Sequence, residues 1–192
     1  CGPKGRAVKH LGTRPLQTPR LLLRQFQPGD LESCLRNWAA QEAVFKFISQ
    51  SPMSRNELEE FLNGADAAYA DLAVYYWAVV RKEDGEVIGE IFVDDLSERN
   101  RWCEVDYKIG TAYWNRGYTT EALRAVLDYL LCQVGFHRVQ AKCASSNTAS
   151  EHVMQKAGMQ PEGRLRGYFL CKDGRGFDDV ELYAVLKDRT SK

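Results

Sequence analysis

One turn of this chain, within residues 113–123, has the residue types of an anion site. It reads Tyr-Trp-Asn-Arg-Gly-Tyr-Thr-Thr-Glu-Ala-Leu, and Gly117 falls between a predicted strand and a predicted amphipathic helix. The first N–H groups of a helix lack intrahelical partners, and the helix dipole makes that end positive. The segment therefore predicts a loop that binds phosphate or pyrophosphate. It is neither the dinucleotide nor the nucleoside-triphosphate fingerprint, because Gly117 stands alone and no Gly-Lys-Ser/Thr follows. An ordinary strand-to-helix turn is the alternative.

Two carboxylates precede this turn on one predicted strand, residues 102–109. Side chains alternate along a strand, so Trp102, Glu104, Asp106 and Lys108 share one face. Such a face suits a cleft for a cationic amine, and Glu104 is the candidate general base. The alternative is the solvated face of an edge strand.

A short helix, residues 148–157, supplies the third group of candidates. Asn147 is a good N-cap, and Ser150 lies one turn later on the same side. The Ser150 hydroxyl could meet a leaving group there. Both residues are also favoured at helix starts, so plain capping is the alternative.

The elements around these residues predict an α/β protein with the order β-α-α-β-β-β-α-β-α-β-β. We expect a flexible N-terminal lead over residues 1–16 and a single domain over 17–188. The predicted strands are 20–26, 74–80, 87–93, 102–109, 139–144 and a final pair around Lys172-Asp173-Gly174. The predicted helices start at Pro28-Gly29-Asp30, span 54–70, follow the turn at Gly117, and span 148–157.

Composition narrows the function classes. The 26 basic and 26 acidic residues of the 192 balance, which argues against general nucleic-acid binding. No apolar run reaches the length of a membrane span, so we expect no membrane partner. The six scattered cysteines favour a cytoplasmic protein with reduced thiols over a disulfide framework or a zinc site, and no metal is expected.

Four segments together resemble the GNAT acetyltransferases, in the Rim-type variant that acetylates protein N-termini. They are residues 20–24 (RLLLR), 103–109 (CEVDYKI) running into the turn at Gly117, 147–159 (NTAS and MQKAGM), and 168–183 (YFL and DVELY). The resemblance implies a GNAT fold with a mixed, mostly antiparallel sheet of about seven strands and four helices. It also implies acetyl-coenzyme A as co-substrate and a primary amine as acceptor, and its Rim-type form suggests the N-terminal α-amine of a ribosomal or other protein.

The same resemblance assigns individual residues. Glu104 is the implied base, and Ser150 meets the thiolate, with Tyr168 or water as the alternative donor. The coenzyme is held by Ile109, Arg116, Gly117, Tyr118, Thr119, Thr120, Asn147 and Lys156. The chain departs from the family pattern at three places: Thr119 replaces a smaller residue, Asp106 stands where a small residue is common, and Gly167 stands where some members have a carboxylate.

Three rival functions remain open at this stage. A small amine, such as a polyamine or an aminocyclitol drug, would use the same chemistry. A non-catalytic module would bind acetyl-coenzyme A through the loop at Gly117 but would acetylate no amine. A thiol enzyme built on Cys103 or Cys143 is the third. Exposed strand edges make a homodimer possible.

Overall fold

An eight-stranded sheet forms the frame of the protein in this computed structural model, which describes residues 7–187. Its strands are β1 (Leu16–Gln17), β2 (Leu21–Arg24), β3 (Tyr76–Arg81), β4 (Val87–Ser97), β5 (Trp102–Ile109), β6 (Arg138–Ala144), β7 (Gln160–Leu170) and β8 (Phe177–Leu186). The spatial order is β1-β2-β3-β4-β5-β6-β8-β7. Strands β5 and β6 pair in parallel, and the other neighbouring strands pair antiparallel. The predicted mixed, mostly antiparallel sheet is confirmed, and the two-residue β1 adds a strand that the sequence did not predict.

Helices cover both faces of this sheet. The first helical segment starts as a 3₁₀ turn (Pro28–Asp30), continues as α1 (Leu31–Cys34) and ends in a π-helical turn (Leu35–Ala39). The longer helices are α2 (Arg55–Tyr69), α3 (Tyr118–Asp128), which runs on as a π-helical turn (Tyr129–Val134), and α4 (Thr148–Lys156). No helix in residues 7–187 is both long enough and apolar enough to cross a membrane.

Two hydrophobic cores hold the helices against the sheet. Leu123 and Val126 of α3 pack in the first core, and Leu58 and Leu62 of α2 pack in the second. Strand β3 contributes side chains to both cores, since alternate side chains point to opposite faces of the sheet. Trp77 and Val79 pack in the first core, and Ala78 and Val80 pack in the second. The middle of the sheet is therefore buried on both sides and rigid enough to position a site.

Strands β5 and β6 separate soon after they begin. They pair at Trp102–Arg138, Cys103–Val139 and Glu104–Gln140, and then each strand keeps only its outer partner. A β-bulge at Asp94 in β4, next to the last of these pairs, bends the strand and increases its twist. The sheet thus opens into a gap between the carboxyl-terminal halves of β5 and β6.

The segment before β1 is packed against the domain in its described part. The Lys9 N–H donates to the Val134 carbonyl at 2.9 Å, and the Tyr129 hydroxyl donates to the Gly12 carbonyl at 2.7 Å. The Trp77 indole donates to the Arg14 carbonyl at 2.8 Å. The expected flexible lead over residues 1–16 does not fit these contacts, because they tie residues 9–14 to distant core elements. Residues 1–6 lie outside the described part, and the division into lead and domain stays a prediction.

The end of β5 is fixed by a close backbone approach at Gly110. A Cβ on Gly110 would lie 1.8 Å from the Asn37 carbonyl oxygen, so only glycine lets the π-helical turn approach the strand. This contact sets where the chain leaves the sheet and enters the predicted phosphate loop.

We expect Gly110→Ala to lower the free energy of unfolding by about 3 kcal/mol, because the added methyl group cannot be accommodated without backbone movement. The matched control is Gly64→Ala within α2, where a Cβ meets open space. That change should raise the free energy of unfolding by about 0.5–1 kcal/mol through helix propensity. Urea denaturation of both variants measures the difference, and equal stability of Gly110→Ala and wild type would contradict the packing argument.

Candidate active site

The predicted phosphate loop connects β5 to α3 and has the backbone of an anion site. Asn115 and Gly117 have positive φ angles of 59° and 78°, and α3 begins directly afterwards at Tyr118. No side chain in the described chain caps this end of α3. The first-turn N–H groups, which include those of Thr119 and Thr120, are therefore available to an anion at the positive end of the helix dipole.

Arg20 of the segment before β2 fixes the position of this loop. Its guanidinium donates to the Glu121 carboxylate at 2.7 Å and to the Arg116 carbonyl at 2.9 Å. It also lies 4.4 Å from the ring centroid of Tyr118, which is buried. Burial raises the pKa of Glu121, but hydrogen bonds from Thr18 and Arg20 outweigh it and the net pKa is lowered. The Glu121 charge is thus held away from the anion position, and the sequence showed Arg20 only as part of a strand motif.

The other predicted coenzyme residues lie around the same end of the sheet, with different exposure. The Ile109 side chain is buried, and its carbonyl accepts from the Trp114 indole at 2.7 Å. Arg116 and Lys156 are exposed. The Lys156 carbonyl accepts from the Arg124 guanidinium at 3.1 Å, which ties the end of α4 to α3. Both side-chain cations are therefore accessible from solvent.

Ser150 of α4 contacts β5 through the half-buried phenol of Tyr107. The Tyr107 hydroxyl and the Ser150 Oγ are 2.7 Å apart, and Asn147 caps α4 by accepting from the Ser150 N–H at 3.3 Å. Burial raises the pKa of Tyr107, and the hydrogen bond to Ser150 opposes this only in part. Tyr107 therefore stays protonated and can donate to Ser150. The sequence missed this partner, because strand alternation indicates the face of Tyr107 but not what it touches.

Glu104 lies at the mouth of the gap with both carboxylate oxygens occupied. Oε1 is 2.9 Å from the Lys142 ammonium, and Oε2 accepts from the Gln140 side-chain amide at 2.8 Å. Burial lowers the pKa of Lys142, while the hydrogen bond to Glu104 raises it, and the net pKa is raised. Lys142 also lies 3.3 Å from the Tyr168 hydroxyl and 5.1 Å from its ring centroid. Glu104 and Tyr168, predicted separately, are thus joined by one lysine.

A cavity of about 240 Å³ occupies the gap on the side opposite α3 and α4. Charged groups line it from three strands: Asp94 of β4, Glu104 and Asp106 of β5, and Lys142 of β6. Burial raises the pKa of Asp106 to about 6. The segment 47–50 and Tyr168 form its outer wall. The predicted face with two carboxylates therefore borders a cavity and not open solvent.

A buried ion pair supports this face from below. Lys108 pairs with Glu90 of β4, and the Tyr76 hydroxyl donates to the other Glu90 oxygen at 2.5 Å. Lys108 and Glu90 are 4% and 0% exposed, so the pair is desolvated and needs its full set of partners. The alternation of side chains along the strand indicated which face Lys108 lies on, but nothing in the sequence indicated that Glu90 is its partner.

The two candidate thiols are poor nucleophiles in this structure. Cys103 and Cys143 are buried, and burial raises the pKa of both, that of Cys143 to about 12. A thiol is reactive as the thiolate, so neither is activated at neutral pH. The thiol-enzyme alternative has no support from the site.

Comparison with known proteins agrees with this geometry. Residues 20–160 match the protein family described as acetyltransferase (GNAT) domain. The uncharacterized N-acetyltransferase YoaA of Bacillus subtilis (strain 168) is 28% identical over 174 residues, which cover 91% of this chain and 97% of the relative. The ribosomal-protein-serine acetyltransferase of Escherichia coli (strain K12) is 29% identical over 154 residues, 80% of this chain and 82% of the relative. The crystal structure of an acetyltransferase (GNAT family) from Bacillus anthracis superposes with a TM-score of 0.77 at 25% identity and covers 91% of this chain and 99% of its own.

We expect Gly117→Asp to weaken acetyl-coenzyme A binding by at least about 100-fold, or about 2.8 kcal/mol. The new carboxylate would repel the pyrophosphate, and its Cβ would strain a backbone with a φ of 78°. The matched control is Gly174→Asp, which has a φ of 77° in the β7–β8 turn and carries the same strain and charge. Calorimetric titration measures both variants, and an unchanged affinity of Gly117→Asp would remove the loop from the binding site.

Proposed function

This chain belongs to the GNAT acetyltransferase family, and we propose that its acceptor is the N-terminal α-amine of a protein. The family resemblance of its motifs is confirmed, and the chain is an N-acetyltransferase for which the GNAT domain implies acetyl-coenzyme A as co-substrate. One observation carries the proposal. The gap between β5 and β6 has the uncapped start of α3 on its helix side and a carboxylate-lined cavity on its opposite side.

The coenzyme fits the helix side of the gap. Its pyrophosphate would lie on the N–H groups at the start of α3, with Arg116 adding charge. Its pantetheine arm would follow the inner edge of β5, where residues 105–109 have no strand partner toward β6. An extended chain commonly binds to such an edge through backbone hydrogen bonds. Asn147 and Lys156, at the two ends of α4, would flank the arm and the nucleotide.

The acceptor fits the cavity side. Three carboxylates (Asp94, Glu104 and Asp106) and one cation (Lys142) leave that side with a net negative charge, which attracts an ammonium group. The cavity opens beside the β7–β8 hairpin, where Tyr168 and Leu170 are 58% and 62% exposed and can contact the residues after a peptide N-terminus. One relative is named a ribosomal-protein-serine acetyltransferase, which supports a protein acceptor. By the same comparison, the protein acceptor that we propose is a ribosomal protein.

The two sides supply the two proton transfers that acetyl transfer needs. The acceptor must lose a proton before its nitrogen attacks the thioester carbonyl, and a carboxylate of the cavity can take it. The carbon–sulfur bond then breaks, and the thiolate needs a proton. Ser150 is on the coenzyme side and bonded to Tyr107, whereas Tyr168 is on the acceptor side beside Lys142. This placement favours Ser150 over Tyr168 as the thiolate's partner.

We expect Ser150→Ala to lower kcat by about 100-fold while leaving the affinity for acetyl-coenzyme A nearly unchanged, because it removes a donor used only in thiolate departure. Tyr107→Phe should give a smaller loss in the same direction, since Ser150 keeps its own hydroxyl. The matched control is Thr148→Ala, which removes an exposed hydroxyl from the same helical turn. Steady-state kinetics with saturating acceptor checks the series. Full turnover by Ser150→Ala would transfer the role to water.

The acceptor itself is tested with a matched panel of amines. Peptides that begin with serine or alanine should be acetylated, and the same peptides with a blocked N-terminus and an internal lysine should not. Spermidine and an aminocyclitol antibiotic represent the small amines. Thiol release from acetyl-coenzyme A reports turnover. Activity confined to a small amine would overturn the protein acceptor, and tight coenzyme binding without turnover on any amine would favour the non-catalytic module.

A further inference from the structure

The cavity contains two carboxylates of β5 that differ in what already occupies their oxygens. We propose that Asp106, and not Glu104, receives the proton of the acceptor amine, and that Glu104 is a positioning residue that holds Lys142. This inference deepens the function proposed above and rests on it. It replaces the sequence-based prediction that made Glu104 the base.

Glu104 has little capacity left to act as a base. Its Oε1 faces the Lys142 ammonium at 2.9 Å, and its Oε2 accepts from Gln140 at 2.8 Å. Protonation would break an ion pair whose partners are only 11% and 27% exposed. The pair instead holds Lys142 against Tyr168 at the outer wall of the cavity. Glu104 therefore has a structural role, because it positions Lys142 and Tyr168 at the outer wall of the cavity.

Asp106 lies two residues further along the same strand face, and its carboxylate accepts fewer hydrogen bonds than that of Glu104. Its Oδ1 accepts from the Tyr107 N–H at 2.7 Å, and its Oδ2 accepts no hydrogen bond from residues 7–187. The neighbouring cation, Lys108, is taken by Glu90. Asp106 is half-buried and lines the cavity, so Oδ2 is a free acceptor at the position where the amine would enter.

Asp106 is a stronger base than an ordinary aspartate, and charged or titratable groups face it from four strands. They are Glu90 and Asp94 of β4, Glu104 and Lys108 of β5, Lys142 of β6 and Tyr168 of β7. Burial is the main cause that raises the pKa of Asp106 to about 6; Lys108 and the Tyr107 N–H oppose it, and Glu90 and Asp94 add to it. The carboxylate is therefore ionised at pH 7 but close to its pKa, which suits a general base.

The class of amine also affects how unfavourable this proton transfer is. An N-terminal α-amine has a pKa of about 8, whereas a lysine or polyamine ammonium has one of about 10.4. Proton transfer is therefore less unfavourable from the α-amine, by the same amount whichever carboxylate receives the proton.

The protons balance between the reactants and the products of the whole reaction. The bound ammonium gives one proton to Asp106, which later releases it to solvent. The neutral nitrogen attacks the thioester carbonyl, the new carbon–nitrogen bond forms and the carbon–sulfur bond breaks. The second proton of the nitrogen is lost from the amide as it forms, and one proton is delivered to the thiolate on the side of Ser150. The products are the acetylated amine, the free thiol and one proton.

The test is the pH dependence of kcat/KM with a serine-initiated peptide for wild type and three variants. The ionisation of the peptide is common to all four, so differences belong to the enzyme. We expect an acid limb near pH 6 in wild type, its loss in Asp106→Asn together with a fall of about 100-fold or more, and its recovery in Asp106→Glu. Asp94→Asn should move the limb to lower pH, since it removes a negative charge that raises the pKa of Asp106.

Glu104→Gln is the matched comparison on the same strand face. It should keep an acid limb, displaced to lower pH because Lys142 loses its counter-ion near Asp106. Unchanged acetyl-coenzyme A affinity in each variant, measured by calorimetry, separates a role in proton transfer from a folding defect. An acid limb that persists in Asp106→Asn and disappears in Glu104→Gln would overturn the proposal and restore Glu104 as the base.

Failure of this inference is distinguishable from failure of the proposed function. If wild type acetylates only a small amine, the protein acceptor is wrong, and the same pH profiles with that amine still decide between Asp106 and Glu104. If no amine turns over, ¹³C NMR titration of the Asp106 carboxyl decides. A pKa near 6 that falls when a free-amine peptide is added supports the proposal, and a pKa that the peptide leaves unchanged overturns it.

Discussion

The separation of β5 from β6 after the Glu104–Gln140 pair is the constraint on which the rest of the structure depends. Backbone groups on two facing strand edges lose their sheet partners there, and buried polar groups must be satisfied in another way. Because the two strands are parallel, their carboxyl ends lie at the same edge of the sheet. The chain leaves β5 through the loop into α3 and leaves β6 into α4, so both helix starts flank one opening.

Contacts across this opening keep the two halves of the sheet together without closing it. On the helix face, Tyr107 of β5 bonds to Ser150 of α4. At the mouth, Glu104 pairs with Lys142 of β6. On the cavity face, Lys172 of the β7–β8 hairpin donates to the Phe45 carbonyl at 3.3 Å. The first two ties use side chains that also border a proposed ligand position, so the same contacts hold the gap open and shape what enters it.

Local signals in the sequence predicted the elements well. The capping pair Ser54 and Glu57 starts α2 as expected, Gly117 takes the left-handed backbone of the loop, and Gly135 ends the helical run after α3. These features depend on a few consecutive residues, so their chemistry can be recognised without the fold. The packing of residues 9–14 was missed, since their partners Val134 and Tyr129 are more than a hundred positions away and their own composition resembles a loop.

The sequence by itself determined the order of the elements, the glycine turn before α3 and the presence of two carboxylates on one strand face, because backbone preference and strand alternation are local. Only the tertiary structure decided how those carboxylates differ. Gln140 lies 36 positions from Glu104 in the chain and, like Lys142, belongs to a strand that meets β5 only at its start. Asp106 lies beyond that meeting point, in the gap, where no partner from β6 reaches it. Which carboxylate is neutralised and which is free depends on where two strands part, and that is set by the packing of the whole sheet.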